Sequence, residues 1–306
     1  MKTLFLFAIF LRLITAPGGT NRSATTENNM TDNQQPLFSF GVITDVQYCD
    51  CNTYNTRFYR NSAEKLRRAL SEISSYSPDF ILNLGDLIDR EFSSFDTVMN
   101  LIEETGITTW HCLGNHDYSV SPGDIRKVSQ VTGSKTGYYS FVHKSFRFII
   151  LNGTDVATYA ATPAQRKKGA ELLAALTERG AVNAYEWNGG ISANQLKWLI
   201  NQLDDASVKN EKVFIICHFP VFPEGTHNLF NSSEILSVMR NYQNIIAWFN
   251  GHNHDGGYGN SDMIHFVTFR AMVETENTNS FAVVEVYSNK IWIKGSGREK
   301  SQILAY

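Results

Sequence analysis

Five short apolar runs in this chain each end in a polar cluster of metal-ligand residue types, and that regularity restricts the fold more than any other feature. After Val42-Ile43 stand Asp45-Val46-Gln47, and after the run 81–84 stand Gly85-Asp86. After 110–113 come Gly114-Asn115-His116-Asp117; after 213–217 comes His218; after 245–250 come Gly251-His252-Asn253-His254. Short apolar runs of this kind suit buried strands, and ligands of α/β sheets bind beyond the carboxyl ends of strands. If the five strand ends lie in one region of the fold, all five clusters converge on one crevice. Glycine in three of them suits a backbone that turns sharply on leaving a sheet and approaches a ligand closely.

The pattern between the clusters supplies the architecture. The run 38–44 reads as a strand, 59–75 carries Ala63, Leu66, Leu70 and Ile73 at helical spacing, and 80–84 is a second buried strand, which together make a βαβ unit. The helical stretch 95–104, ending at Gly106 and feeding 109–113, repeats it. Next, 138–143 and 146–151 read as paired strands turning at Lys144-Ser145. Helices follow at 164–179 and 192–205, the second opening on Ser192 as N-cap, then strands at 213–217 and 245–249 separated by a helix at 232–240. The tail, at 264–268, 281–287 and 290–294, alternates like an antiparallel meander. Parallel units combined with antiparallel hairpins predict a mixed α/β domain of two sheets over 37–306, without an internal repeat.

A net charge of -3, with only 19% charged residues, gives no broad cationic surface of the sort that nucleic acid requires. A small anionic substrate must then meet local positive charge, such as metal ions. Residues 1–36 read as a signal-like leader followed by a disordered linker: Lys2 precedes apolar runs at 4–10 and 13–16, and the Asn-, Thr- and Gln-rich stretch 20–36 cannot build a core. The apolar runs have the length of a signal-peptide core and are too short to span a bilayer, so the expectation is export, periplasmic or secreted. Against it, no A-x-A site precedes Pro17, and translation from Met30 would leave a cytoplasmic protein. Cys49 and Cys51 stand too close in sequence for an ordinary disulfide, Cys112 and Cys217 suit an apolar core, and no disulfide framework is expected.

The residue types in the five clusters say what the crevice holds. Asp45, Asp86, His218, His252 and His254, with the amides of Gln47 and Asn115, form an oxygen and nitrogen donor set that suits Mn²⁺, Fe, Zn²⁺ or Mg²⁺. These are too many ligands for one tetrahedral ion and suit two ions sharing a carboxylate, for which Asp86 has the shortest reach from a buried strand end. Two ions in such an arrangement can clamp a phosphoryl group and activate a water. The isolated histidines His111, His143, His227 and His265 read as surface or core residues, and Asp89 and Asp117 as turn residues or partners of a ligand imidazole.

The motifs D-x-Q at 45–47, G-D at 85–86, G-N-H-D at 114–117, the single His218 and G-H-N-H at 251–254 together resemble the calcineurin-like metallophosphoesterase superfamily from Leu37 to the C-terminus. The resemblance implies a four-layer sandwich of two mixed sheets flanked by helices. It also implies metal ligation by Asp45, Gln47, Asp86, Asn115, His218, His252 and His254, with His116 beside the metals as a catalytic group. Most members carry His where this chain has Gln47, and purple acid phosphatases carry a metal-binding Tyr where it has Asp89. Both departures set it apart from the purple subgroup. The runs F-G-V-I-T-D-V-Q-Y at 40–48, N-G-G-I-S-A-N-Q-L-K-W-L at 188–199, G-H-N-H-D-G-G-Y at 251–258 and V-E-T at 273–275 resemble the manganese-dependent ADP-ribose/CDP-alcohol diphosphatases. That narrower resemblance implies a hydrolase favouring Mn²⁺ that splits a small nucleotide-diphosphate substrate into a nucleoside monophosphate and a phosphorylated sugar or alcohol. The sequence carries no sign of oligomeric state, and a monomer is the default. The alternative is a phosphomonoesterase or cyclic-nucleotide phosphodiesterase on the same scaffold. A non-catalytic interaction domain would have lost ligand positions, and none is lost. Tyr54, Phe58 and Tyr59 follow the first metal loop, where they could stack on a base, although aromatics entering a helix more often join the core.

Overall fold

The computed structural model describes residues 35–131, 133 and 136–306, together with Met1. The leader and nearly all of the linker expected over 1–36 lie outside the described residues. Along β1 (Phe38–Ile43), alternation puts Phe38, Phe40 and Val42 on one face and Ile43 on the other, and both faces are buried. Gly41 sits on the second face, where a Cβ would come within 2.6 Å of Ile73 Cγ2, so the missing side chain lets a helix lie close against the strand. That helix is α1 (Asn61–Ser75), which is followed by β2 (Phe80–Asn83), α2 (Ser94–Glu103), β3 (Thr109–His111) and the single turn α3 (Val128–Val131).

The chain continues through β4 (Tyr139–His143), β5 (Phe146–Ile150), α4 (Pro163–Glu178), α5 (Ala193–Val208), β6 (Lys212–Ile216), α6 (Ser232–Met239) and β7 (Ile245–Asn250). It closes with β8 (Gly257–Ser261), β9 (Ile264–Thr268), β10 (Ser280–Val286), β11 (Lys290–Gly297) and β12 (Gln302–Ala305). Among the described residues these strands form two six-stranded sheets, ordered β12-β11-β10-β1-β2-β3 and β4-β5-β6-β7-β9-β8. β1, β2 and β3 pair in parallel, as do β5, β6, β7 and β9, while the remaining pairs are antiparallel.

The two sheets face each other across a phenylalanine-rich core. Phe148 and Phe214 stack with centroids 4.8 Å apart, and Phe40, from the other sheet, meets Phe148 edge-on at 5.6 Å. Offset-stacked and edge-on pairs align ring edges with ring faces and add to the stabilisation from burial. Leu66, Leu70 and Ile73 of α1 and Phe95 and Val98 of α2 cover the outer face of the first sheet. Leu196, Leu199 and Leu203 of α5 and Ile235 and Met239 of α6 cover that of the second. The four-layer sandwich follows.

Two expectations need correction. The tail is not one meander: β9 leaves the other tail strands and pairs in parallel with β7, while β10, β11 and β12 complete the first sheet. Alternation identifies a strand with one face on a core but carries no information about its partner. Cys49 and Cys51 form a disulfide, because the loop after Gln47 bends enough to bring their Cα atoms to 5.2 Å, within the span a disulfide bridges. Cys112 and Cys217 are free and buried, as expected.

Candidate metal centre

The five loops that carry the candidate ligands leave β1, β2 and β3 of one sheet and β6 and β7 of the other, so the crevice forms where strand ends of both sheets meet. Hydrogen bonds lock the loops to one another. Asp45 N donates to Gly85 O at 3.0 Å, Gln47 N to Asp86 O at 2.8 Å, Gly251 N to His218 O at 3.0 Å and His116 N to Asp86 Oδ1 at 2.7 Å. Asp117 accepts four backbone N–H groups, of Asp86, Leu87, Ile88 and Gly114, and so fixes the second and third loops rather than orienting an imidazole.

The local backbone is strained where these side chains project. Asp45, Gln47, Asp86 and His252 all adopt positive φ, between 45 and 67°. Non-glycine residues take that conformation only where the surroundings impose it, and such positions gather at functional sites. The glycines beside them leave room for the ligands: a Cβ on Gly114 would strike the Asp86 carboxylate, one on Gly251 would strike Thr44 Oγ1 and Asp45 Oδ2, and one on Gly85 would lie 2.8 Å from His218 Nδ1.

Each candidate imidazole has one nitrogen committed outward and the other facing the cluster. His218 Nδ1 donates to Leu84 O at 2.9 Å, His252 Nε2 to Asn188 Oδ1 at 2.9 Å, and His254 Nδ1 to Glu274 Oε1 at 2.6 Å. Such outer bonds set the tautomer and aim the free lone pair at a metal. His218 Nε2 lies 3.1 Å from Asp86 Oδ2, and His254 Nε2 lies 3.4 Å from Asp45 Oδ1. Gln47 Nε2 is 3.2 Å from Asp86 Oδ2 and 3.1 Å from His254 Nε2, so its amide must turn over to offer oxygen.

Burial disfavours charge on both carboxylates, yet His218 beside them, joined by His254 at Asp45 and His116 at Asp86, outweighs it and holds them below the ordinary range. Burial likewise works against a proton on His218 and His254, but the neighbouring carboxylates raise both to about 9. Burial, then His218 and His227, push His252 well below its ordinary value.

The donor set fits metal. Asp45 Oδ1, Gln47 Oε1 and Asn115 Oδ1 are buried without a hydrogen-bond partner, a cost of about 1–3 kcal/mol each in a protein that gave them nothing to bind, and His218 Nε2 faces the Asp86 carboxylate at 3.1 Å. Asp86, His218 and His252 also bring ligand atoms within 4.8 Å of one another. Oxygen and imidazole donors with no thiolate are the set for Mn²⁺, Mg²⁺, Fe or Zn²⁺.

The profile of the calcineurin-like phosphoesterases matches residues 38–256, a stretch that holds all seven donors. The chain belongs to the calcineurin-like phosphoesterase family. Within that family it is 30% identical over 323 residues to the mouse protein named manganese-dependent ADP-ribose/CDP-alcohol diphosphatase, covering 90% of this chain and 95% of that one. The Arabidopsis thaliana protein of the same name is 28% identical, covering 88% of this chain and 97% of that one. A solved dimetal phosphatase from Danio rerio is 27% identical, with a TM-score of 0.80 over 89% of this chain and 100% of that one.

His116 stands at the side of this phosphoesterase centre, among the residues that line a cavity of about 410 Å³ over Asp86 and Asn115. Its Nδ1 is 3.1 Å from Asp89 Oδ1, so Asp89 does face an imidazole, and its Nε2 is 3.3 Å from Arg57 Nη1. A larger cavity of about 800 Å³ adjoins, the two sharing Arg57, His227, His252 and His254. Tyr54 and Phe58 line the larger cavity, whereas Tyr59 is buried in the core.

Sequence reasoning missed several of these residues. His227 was assigned to surface or core, but its ring lies 5.3 Å from that of His252 on the cavity wall. It follows the cis Phe222-Pro223 bond in an irregular loop with no periodicity to place it. Asn188, Glu274 and Lys65 had no role assigned. Lys65 is fully buried and donates to the carbonyls of Met272, Glu274 and Thr275, fixing the segment that carries Glu274 to His254. The runs N-G-G and V-E-T held two of these three residues, but their partners lie on distant loops.

Proposed function

We propose that this phosphoesterase hydrolyses the diphosphate linkage of ADP-ribose or of CDP-alcohols, with Mn²⁺ favoured, to give a nucleoside monophosphate and a phosphorylated sugar or alcohol. The observation that carries the reading is the set of orphaned buried donors at the strand ends, in a chain 30% identical to a relative named for that reaction. Divalent ions held there supply Lewis acidity toward water and neutralise phosphoryl charge. Asp45, Gln47, Asp86, Asn115, His218, His252 and His254 are the residues that would hold them, and Asp86, set between His218 and Gln47, is the carboxylate placed to serve both.

The side chains around the donors do the rest. Nδ1 of His116 lies 3.1 Å from Asp89 Oδ1, which leaves Nε2 on the cleft side next to Arg57. From there His116 meets a phosphoryl oxygen or the leaving group, where an imidazole stabilises developing charge or passes a proton. The cavity beyond Arg57 has room for the part of a dinucleotide-like substrate that extends past the reacting phosphate.

We also propose that the protein is exported. The Cys49–Cys51 disulfide suits an oxidising compartment and supports the reading of the N-terminal apolar runs as a leader. Mass analysis of protein recovered outside the cytoplasm tests this, and an uncleaved protein confined to the cytoplasm would contradict it.

The substrate reading is tested by product analysis with purified protein and Mn²⁺ on a panel of diphosphates, monoesters and cyclic nucleotides. AMP and ribose 5-phosphate from ADP-ribose, without inorganic phosphate, is the expected outcome. Comparable or higher kcat/KM on monoesters or cyclic nucleotides would favour the alternative activity.

A further inference from the structure

Arg57 is common to both cavities and stands on their shared wall. Its position is built rather than incidental. Arg57 and Tyr54 exchange backbone hydrogen bonds at 3.0 and 3.2 Å, and Arg57 bridges to Glu274, so both flanks of the residue are tied down. Two carboxylates of the site are taken by imidazoles, Asp89 by His116 and Glu274 by His254, although the Arg57 charge also helps to keep Glu274 ionised. The guanidinium is left with His116 Nε2, at 3.3 Å from Nη1.

A cation on a backbone tied down at the edge of a metal cleft, facing a cavity and with no carboxylate in ion-pair contact among the described residues, is prepared for an anion brought by the substrate. The metal donors converge below the smaller cavity, where the attacked phosphoryl group belongs. The next anionic group of a diphosphate is separated from it by one bridging oxygen, and the direction in which it can extend is past Arg57 into the larger cavity. A monoester has nothing to place there.

We propose that Arg57 binds the second phosphate of the substrate, the one that leaves, and so sets the preference of this site for diphosphates over single phosphate esters. The inference rests on the phosphoesterase reading above and adds the residue that selects the bond. In the reaction, the water oxygen bonds to the attacked phosphorus while the bond from that phosphorus to the bridging oxygen breaks. The electron pair stays on the bridging oxygen, and the protons of the water pass to solvent. The leaving phosphate gains negative charge, which a planar guanidinium meets with two parallel N–H groups. Lysine would supply charge without that fork.

The test compares the Mn²⁺-loaded wild-type protein with Arg57→Met and Arg57→Lys, using inorganic pyrophosphate and orthophosphate as calorimetric probes. The expected result is a ratio of pyrophosphate to orthophosphate affinity that falls about 10- to 100-fold in Arg57→Met and by less in Arg57→Lys, the loss of one charge-assisted contact. An unchanged ratio, or equal losses on both probes, would overturn the proposal. ADP-ribose turnover by the wild type is measured alongside. Its absence would remove the substrate reading, while the probe ratio still decides the role of Arg57.

Discussion

Nε2 of His218 lies 3.1 Å from Oδ2 of Asp86 while its Nδ1 is committed to the carbonyl of Leu84. With that tautomer fixed, a lone pair faces a carboxylate in a buried site, and only a cation between them makes the contact favourable. In the metal-free protein the cation is a proton, which is why His218 is raised to about 9 against the opposition of burial.

Metal and proton therefore compete for this position, and the direction of the pH dependence follows. Since the folded-state value is raised above the ordinary 6.5, this contact stabilises the metal-free protein fully below about 6.5. That contribution is lost as pH rises through about 9. Binding Mn²⁺ at pH 7 should release protons, and apparent affinity should climb as pH approaches 9. Calorimetric titration in buffers of different ionisation enthalpy measures the release, and a heat independent of buffer would contradict it.

Gly251→Ala should damage the centre while sparing most of the fold. Its Cβ would strike Thr44 Oγ1 and Asp45 Oδ2, in a loop where Asp45 also accepts from His252 N at 3.2 Å. A stability loss of about 1–3 kcal/mol is expected from overpacking, with a much larger proportional loss of metal. Thermal unfolding and elemental analysis on the same preparation check both; full metal content would show that the close approach is dispensable.

Glu274→Ala tests the outward partner of His254. Removing a carboxylate that bonds the far nitrogen of a ligand imidazole costs about 10- to 100-fold in metal affinity. Glu274 is held to about 2, where burial is outweighed by its bond to His254, so it is charged throughout the working range. Equilibrium metal competition with a chelator gives the affinity, and a wild-type value would mean that His254 is oriented by something else.

His116→Ala separates catalysis from metal binding. The ring faces the cleft but is occupied by Asp89 and Arg57, not by the donor cluster. The mutant should keep near-normal metal and lose about 10² to 10⁴ in kcat. The loss should be greater on a substrate with an alcohol leaving group, which needs more protonation than a phosphate. Loss of metal in this mutant would make His116 a ligand.

Much of this was legible because buried strands announce themselves as apolar runs and the candidate ligand residues follow them directly. Asp45, Asp86, Asn115, His218 and His252 could be placed on loops from five strands before any geometry was known. The helical faces of α1 and α5 were equally clear from Leu66, Leu70 and Ile73 and from Leu196, Leu199 and Leu203. What escaped depended on long-range pairing. β8, with the sequence Gly-Tyr-Gly-Asn-Ser, has no apolar alternation and is a strand only because β9 lies beside it. Asn188 reaches His252 across 64 residues, and Lys65 reaches Thr275 across 210, separations at which a sequence offers no pattern. The Cys49–Cys51 bond depended on a bend in the loop after two residues of positive φ.

The central claim is that this site holds two divalent ions through a carboxylate shared between them, and metal counting tests it most directly. Chelated protein titrated with Mn²⁺ should take up two equivalents per chain and regain ADP-ribose hydrolysis as the second binds, while Asp86→Ala should lose both uptake and turnover. Full turnover in protein shown by elemental analysis to be free of metal, or two retained equivalents in Asp86→Ala, would contradict it.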